Sequence, residues 1–363
     1  MNSNFGEKIV LSIFGESHGA AIGGVLTGLP AGVKLDFDEM EIQRLRRAPG
    51  RDKTATPRKE KDEFEILSGV LDGKTTGAPL ALIIRNSDTV SKNYDNLRDC
   101  PRPSHSDYAA AVKFGGMNDI RGGGHFSGRL TAPITALGTV CRTLLLEKGI
   151  TVGGHILKIG TANDSEFDKV NVSAKELSVL NKSPFPVIDS FAEEKMRAAV
   201  EQARQNCDSV GGIVELAVTG LPAGLGNPMF SGIENIIAKA LYGIPAVKAV
   251  SFGAGFDFAD MLGSEANDTL YYDEKGNVKT KTNNCGGIFG GITNGMPLII
   301  RVALKPTPSI SRPQETVNLK TKENVILAVE GRHDPCIVPR ALPALEAMLC
   351  VALADILAGE GQL

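Results

Sequence analysis

An internal repeat constrains this chain more than any other feature. Gly24-Val-Leu-Thr-Gly-Leu-Pro-Ala-Gly32 recurs as Leu216-Ala-Val-Thr-Gly-Leu-Pro-Ala-Gly224, each time an apolar strand-like run ending in the same turn. Each turn feeds a helix. Asp36 and Glu39 read as a capping box before Met40, Ile42 and Leu45, and Ile233, Ile236, Ile237 and Leu241 give the second helix its apolar face. Both helices stop at proline–glycine punctuation, Pro49-Gly50 and Gly243-Ile-Pro245. Later, Gly77-Ala-Pro-Leu-Ala-Leu-Ile-Ile-Arg85 is echoed by Gly295-Met-Pro-Leu-Ile-Ile-Arg301, a buried strand entered through proline. Strand, turn, helix and proline-led strand recurring in order argue for two related halves sharing one core.

Between the halves, the pattern predicts a helix with Pro133 in its first turn and another behind a Ser190/Glu193 capping box. A final helix runs from about Pro339 or Ala341 to Leu357 and stops at Gly359. Strands do not alternate strictly with helices, which favours α+β over a doubly wound sheet. The expected layout is one catalytic domain over 1–363, with halves at about 8–150 and 208–330 and the last helix at about 339–358.

Composition limits the function classes. With 42% hydrophobic and 22% charged residues, the chain is an ordinary globular sequence. It shows no basic leader followed by a long apolar stretch, and no uninterrupted apolar run near the roughly 18 residues of a membrane span. A cytoplasmic protein is the expectation. Six cysteines lie far apart with no CxxC pair, which fits reduced thiols. Net charge is only −3, yet between Arg44 and Lys61 eight basic residues face two acidic ones, Asp52 and Glu60. An anionic ligand is expected at that segment.

Five segments carry residues suited to chemistry. Phe14-Gly-Glu-Ser-His-Gly19 sets Ser17 and His18 between glycines at a strand end. Arg102-Pro-Ser-His-Ser-Asp107 places His105 on a turn stiffened by proline. Arg121-Gly-Gly-Gly-His-Phe-Ser-Gly-Arg129 exposes backbone N–H groups before a helix N-terminus, an anion-binding arrangement. Lys305-Pro-Thr-Pro-Ser309 follows a strand, and Gly331-Arg-His-Asp-Pro-Cys336 flanks Asp334 with an arginine and a histidine. The GxGxxG order is absent, and Gly69-Val-Leu-Asp-Gly-Lys-Thr75 is one residue short of a P-loop.

Taken together and in order, these segments resemble the chorismate synthases over nearly the whole chain. GESHG, LRRAPG where that family has RRRPG, RPSHSDY where it has RPGHADY, RGGG followed by Ser127 and Arg129, LPAGLG, KPTPSI and GRHDPC match in kind and spacing. The resemblance implies an internally duplicated β-α-β sandwich, with a helical layer between antiparallel sheets, and a homotetramer. It implies anti-1,4-elimination of phosphate from 5-enolpyruvylshikimate 3-phosphate to chorismate, dependent on reduced FMN though without net redox change. NADPH is a candidate reductant, directly or through a separate flavin reductase.

By motif, the resemblance places His18 near the flavin, His105 as proton donor to the departing phosphate, and Asp334 in removal of the C6 proton. Arg46, Arg47, Arg129 and Arg332 would hold substrate. Ser17, His125, Phe126, Ser127, Pro245, Ala246, Gly290, Lys305, Pro306, Thr307, Pro308, Ser309 and Arg332 would contact FMN. The chain departs from the family pattern at His125 and Phe126, which stand where most members have arginine and serine. It departs also at Leu130, where they have glutamate, and at Pro245, where asparagine is expected.

Two other classes compete on residues alone. A polyanion-binding module would use the basic stretch without needing His18, His105 or Asp334. A metal hydrolase would need ligand spacing such as HxxxH or CxxC, which no pair here has.

Overall fold

The computed structural model describes residues 3–50, 60–87, 96–329 and 333–363. In the first half the strands are β1 (Asn4–Phe5), β2 (Val10–Gly15), β3 (Ala21–Thr27), β4 (Phe64–Ser68), β5 (Val70–Leu71), β6 (Lys74–Thr75) and β7 (Leu80–Arg85). The second half has β8 (Thr151–Ile159), β9 (Ala162–Asn163), β10 (Gly212–Thr219), β11 (Val247–Phe252), β12 (Leu270–Tyr272), β13 (Val278–Thr280), β14 (Ile288–Phe289), β15 (Ile292–Thr293) and β16 (Leu298–Leu304). A last hairpin joins β17 (Gln314–Asn318) to β18 (Glu323–Leu327). The helices are α1 (Phe37–Arg47), α2 (Asp107–Phe114), α3 (Thr131–Glu147), α4 (Ala174–Leu180), α5 (Ser190–Gln205), α6 (Ile233–Tyr242), α7 (Gly263–Ala266) and α8 (Val338–Gly359).

Two antiparallel five-stranded sheets have the orders β1-β2-β3-β7-β4 and β9-β8-β10-β16-β11, so the second repeats the first strand for strand. Only the short edges differ in chain order, since β1 precedes β2 whereas β9 follows β8. The repeated turn is built alike in both copies. Gly32 and Gly224 donate their N–H groups to the carbonyls of Thr75 and Thr293 at 2.7 and 2.8 Å. The hydroxyls of those buried threonines donate back to Pro30 and Pro222 at 2.6 and 2.7 Å. Gly28 and Gly220 sit at φ +84° and +86°, where an added Cβ would strike the carbonyl oxygen of Lys8 or Gly149. Glycine is therefore required by both space and backbone angle.

Helices α1, α3, α6 and α8 form the layer between the sheets: α3 packs on β3 and β7, α8 on β8 and β10, and the two helices cross. At the crossing an added Cβ on Gly138 would lie 2.6 Å from the Ala347 carbonyl oxygen, so glycine permits this close approach. One apolar cluster draws on both sheets and all four helices, from Ile9, Leu26 and Leu82 through Leu137 and Leu145 to Leu216, Ile300 and Leu349. Burying each such side chain is worth roughly 1.5–3 kcal/mol, which makes this layer the main source of stability. Asp355 near the end of α8 accepts backbone N–H bonds from Glu7, Lys8 and Ile9 at 2.7–3.1 Å, fastening the start of β2 to the core.

Three local expectations need correction. Helix α5 is capped by Asp189, whose carboxylate accepts from the Phe191 N–H, while Ser190 is already helical and Glu193 pairs with Arg197. At α1, Asp36 caps as expected, but Glu39 accepts from Gln43 instead of reaching back. Helix α8 is long and apolar enough to span a bilayer, although Arg340, Glu346 and Asp355 interrupt its apolar run; 89% of its most apolar stretch is buried, which makes it a core helix.

The outer side of the second sheet carries a buried ionic ladder. His155 on β8, Glu215 on β10 and Arg301 on β16 are cross-strand neighbours. His155 Nδ1 meets Asp164 at 2.9 Å and Nε2 meets Glu215 at 3.2 Å. Burial alone would lower its proton affinity, but the two carboxylates outweigh that and raise it.

Candidate active site

The glycine-rich loop, the loop before α2, the turn after α6, the strand end at β16 and the start of α8 converge on one cleft of about 570 Å³. Cleft size and a mix of backbone, aromatic and charged walls suit a cofactor with a small substrate. Arg47, Arg129, Lys248, Lys305 and Arg340 bring cationic groups to its lining, against the carboxylates of Glu60 and Asp334.

The loop 121–126 turns on three glycines of positive φ, Gly122, Gly123 and Gly124. A Cβ on Gly122 would come within 2.4 Å of the His18 ring and 2.6 Å of Ser17 Oγ. A Cβ on Gly123 would come within 3.4 Å of His105. The hook therefore passes between the two candidate histidines, and only glycine admits His18 at that range. Ser17 donates its N–H to the Gly124 carbonyl at 3.1 Å, and both Ser17 and His18 are buried behind the Gly122 wall instead of forming the lining.

His105 does line the cleft. Its Nδ1 is 2.6 Å from Asp107 Oδ1, and Asp107 is in turn forked by Arg102. Burial lowers the proton affinity of His105; Asp107 opposes this, while Arg102 and Lys305 reinforce it. The ring is therefore mostly neutral near pH 7 until an anion arrives beside it. Lys305 Nζ donates to the Ser104 carbonyl at 2.5 Å, which joins the fourth segment to the second. Burial lowers its proton affinity, with Lys248 adding to the effect.

Arg47 and Arg129 share Asp62, and Arg129 also pairs with Glu60 at 2.6 Å. Burial raises the proton affinity of Asp62, but the two guanidiniums prevail and hold it below the usual carboxylate range. Arg47 also donates to Thr131 Oγ1 at 3.1 Å and the Gly128 carbonyl at 2.9 Å, so both arginines are preorganised. Asp334 lies 2.5 Å from Arg340 Nη1, and Arg340 Nε donates to the Arg47 carbonyl. Ser127, Phe126, Pro245, Ala246, Thr307, Pro308 and Ser309 also line the cleft.

The structure does not bring every sequence candidate to this cleft. Arg46 is buried against Glu346 of α8 at 2.6 Å, with Arg142 on the same carboxylate. It serves the helical core there, because a buried cation requires a buried partner. Gly290 lies on the β14–β15 turn and Pro306 packs near Gly211; neither is in the lining. Arg332 lies outside the described residues, as do Arg51, Lys53, Arg58 and Lys59 of the basic segment. His125 lines the cleft with its nitrogens engaged: Nδ1 is 2.8 Å from the Gly15 carbonyl and Nε2 2.7 Å from Ser3 Oγ. A neutral ring donating from Nδ1 and accepting at Nε2 satisfies both contacts.

Sequence reading missed Asp62, Glu60, Lys248, Arg340 and the clamp of Arg102 on Asp107. Only the last had a visible signal, two opposite charges beside His105 within one motif.

Comparison with known proteins now decides the family. Residues 9–358 match the family model described as chorismate synthase. The chain belongs to the chorismate synthase family. It is 42% identical to the chorismate synthase of Methanocaldococcus jannaschii, over 99% of this chain and 97% of that one. With the Thermococcus gammatolerans chorismate synthase it shares 47% identity over 96% of each. A solved structure titled "Crystal Structure of Chorismate Synthase" superposes with a TM-score of 0.76 at 29% identity, covering 98% of this chain and 93% of that one. The α+β class and antiparallel sheets agree with that likeness. Family membership makes the chain a lyase of aromatic amino acid biosynthesis acting on a small molecule.

Proposed function

We propose that the chain eliminates phosphate from 5-enolpyruvylshikimate 3-phosphate to give chorismate, with reduced FMN bound in the cleft. The carrying observation is the juxtaposition of a general acid–base set, His105 and Asp334, with the preorganised pair Arg47 and Arg129 in one cleft. Substrate and flavin each carry anionic groups, which suits a wall of fixed guanidinium and ammonium groups.

The walls also suit the flavin. The Gly122–Gly124 hook offers backbone close to the cleft, Phe126 and Tyr242 offer aromatic faces, and Lys305, Thr307 and Ser309 offer polar contacts. When bound, reduced FMN supplies electron density as the phosphate leaves and recovers it as the proton goes. Arg47 and Arg129 bind anionic oxygens of the substrate and stabilise charge growing on the phosphate. His105 takes up a proton as that dianion approaches and delivers it to the leaving group. Asp334, held in place by Arg340, assists removal of the C6 proton. His18, packed under Gly122, supports the negative charge of the flavin from behind the wall. His125, Phe126, Ser127, Pro245, Ala246, Lys305, Thr307, Pro308 and Ser309, which line the cleft, remain the proposed flavin contacts, joined by Arg332; Ser17, Gly290 and Pro306 lie outside the lining. Arg47 and Arg129, with Arg332, remain the proposed substrate set, and Arg46 leaves it because it is buried against Glu346. A homotetramer, NADPH-dependent flavin reduction and a cytoplasmic location complete the proposal.

Anaerobic titration with photoreduced FMN tests it. Tight binding with a perturbed flavin spectrum in the presence of substrate supports the proposal. Binding of nucleic acid but not flavin would favour the polyanion-binding reading. Light scattering of the purified protein checks the tetramer.

A further inference from the structure

We propose that Asp107, clamped by Arg102, is a positioning residue that fixes the tautomer and orientation of the His105 ring. The proposal rests on the reading of His105 as the proton donor. Asp107 opens α2, and its side chain and that of Arg102 are each only 4% exposed. Arg102 donates from Nε to Oδ2 at 2.7 Å, from Nη2 to Oδ1 at 2.8 Å and from its backbone N–H to Oδ2 at 3.1 Å. Its remaining Nη1 donates to the buried Ser309 hydroxyl at 3.0 Å. The carboxylate is held rigidly by a bidentate, charge-assisted pair.

His105 Nδ1 lies 2.6 Å from Oδ1, a distance at which two bare lone pairs would repel. Nδ1 must carry the proton, as ionised Asp107 only accepts. Arg102 Nη2 at 3.1 Å and Ser106 Oγ at 3.3 Å also approach Nδ1, both at longer range than the 2.6 Å contact with the Asp107 carboxylate that places the proton. Among the described residues Nε2 makes no hydrogen bond, so it is the nitrogen left to accept and deliver a proton at the cleft. Arg102, Asp107 and Lys305 are the charged groups acting on the ring. A carboxylate behind an imidazole both selects the tautomer and stabilises the imidazolium, and an amide in its place selects the wrong one.

The test is Asp107→Asn in the full-length protein, read by ¹⁵N NMR of the histidine rings and by the pH profile of turnover. Asparagine keeps its oxygen toward Arg102 Nε and presents its NH₂ group to Nδ1, which moves the ring proton to Nε2. The expected results are an Nδ1–H ring in the parent and an Nε2–H ring in the variant. Turnover falls by roughly 10²–10⁴ while KM stays within about threefold. Asp107 raises the proton affinity of His105, so its loss moves the alkaline fall of activity to lower pH. An Nε2–H ring in the parent overturns the proposal even if the variant does not fold. A variant with an Nδ1–H ring and the parental pH profile also overturns it. A tautomer switch with unchanged turnover would support the positioning role and remove His105 from the chemistry, so the two readings fail separately.

Discussion

Asp62 is the residue whose loss should be felt most beyond its own contacts. Its side chain is 1% exposed and bridges Arg47 and Arg129, so Asp62→Asn leaves two buried guanidiniums sharing one neutral oxygen. Glu60 still pairs with Arg129, while among the described residues Arg47 retains Thr131 and the Gly128 carbonyl. Breaking a buried pair in this way costs about 3–5 kcal/mol, mostly from the cation left without its counter-charge. Urea unfolding followed by circular dichroism reads this directly. Inorganic phosphate should stabilise the variant more than the parent, because an anion is what the two arginines then lack. The folded carboxyl titrates below its unfolded value, so its contribution is complete above about pH 4 and is lost as pH falls through the folded value. The gap between parent and variant should therefore close in acid. A variant within about 1 kcal/mol of the parent at pH 7 would refute the argument that Asp62 neutralises this pair.

Three further outcomes follow from the geometry. Gly122→Ala drives a Cβ into the His18 ring at a residue of φ +59°, and steady-state assays should show turnover reduced by about 10² or more in a folded protein. His125 already engages both ring nitrogens with Ser3 and Gly15, so His125→Ala removes no more than one neutral contact to flavin, worth about 0.5–1.5 kcal/mol; reduced FMN binding should weaken less than roughly tenfold and saturating flavin should restore the rate. His155 has a raised proton affinity, so its ion pairs stabilise the fold fully below about pH 6.5 and less as pH rises through the folded value. Thermal midpoints from pH 6 to 9 should fall more in the parent than in His155→Gln.

The repeat was legible because its cause is local. Gly28, Gly32, Gly220 and Gly224 stand where the backbone needs positive φ, and proline precedes each returning strand, so the same words recur in the sequence. The loop motifs that line or flank the cleft were legible for the same reason, being short loops at element ends. What stayed hidden was long-range pairing. Nothing near Arg46 announces Glu346, three hundred residues away, and nothing near Arg129 announces Asp62. The two arginines adjacent in sequence therefore read as equals, yet helical geometry turns Arg46 toward α8 and Arg47 toward the cleft. Helix α8 likewise hid its apolar length, since its few charged residues find partners only in the folded core.

The central claim is tested most directly by incubating the protein anaerobically with 5-enolpyruvylshikimate 3-phosphate and photoreduced FMN, with and without NADPH, while following chorismate and phosphate together. The account predicts equal amounts of both products, no turnover without reduced flavin, and flavin still reduced at the end. Absence of phosphate release from a folded, FMN-bound protein, or release at the same rate without flavin, would contradict it.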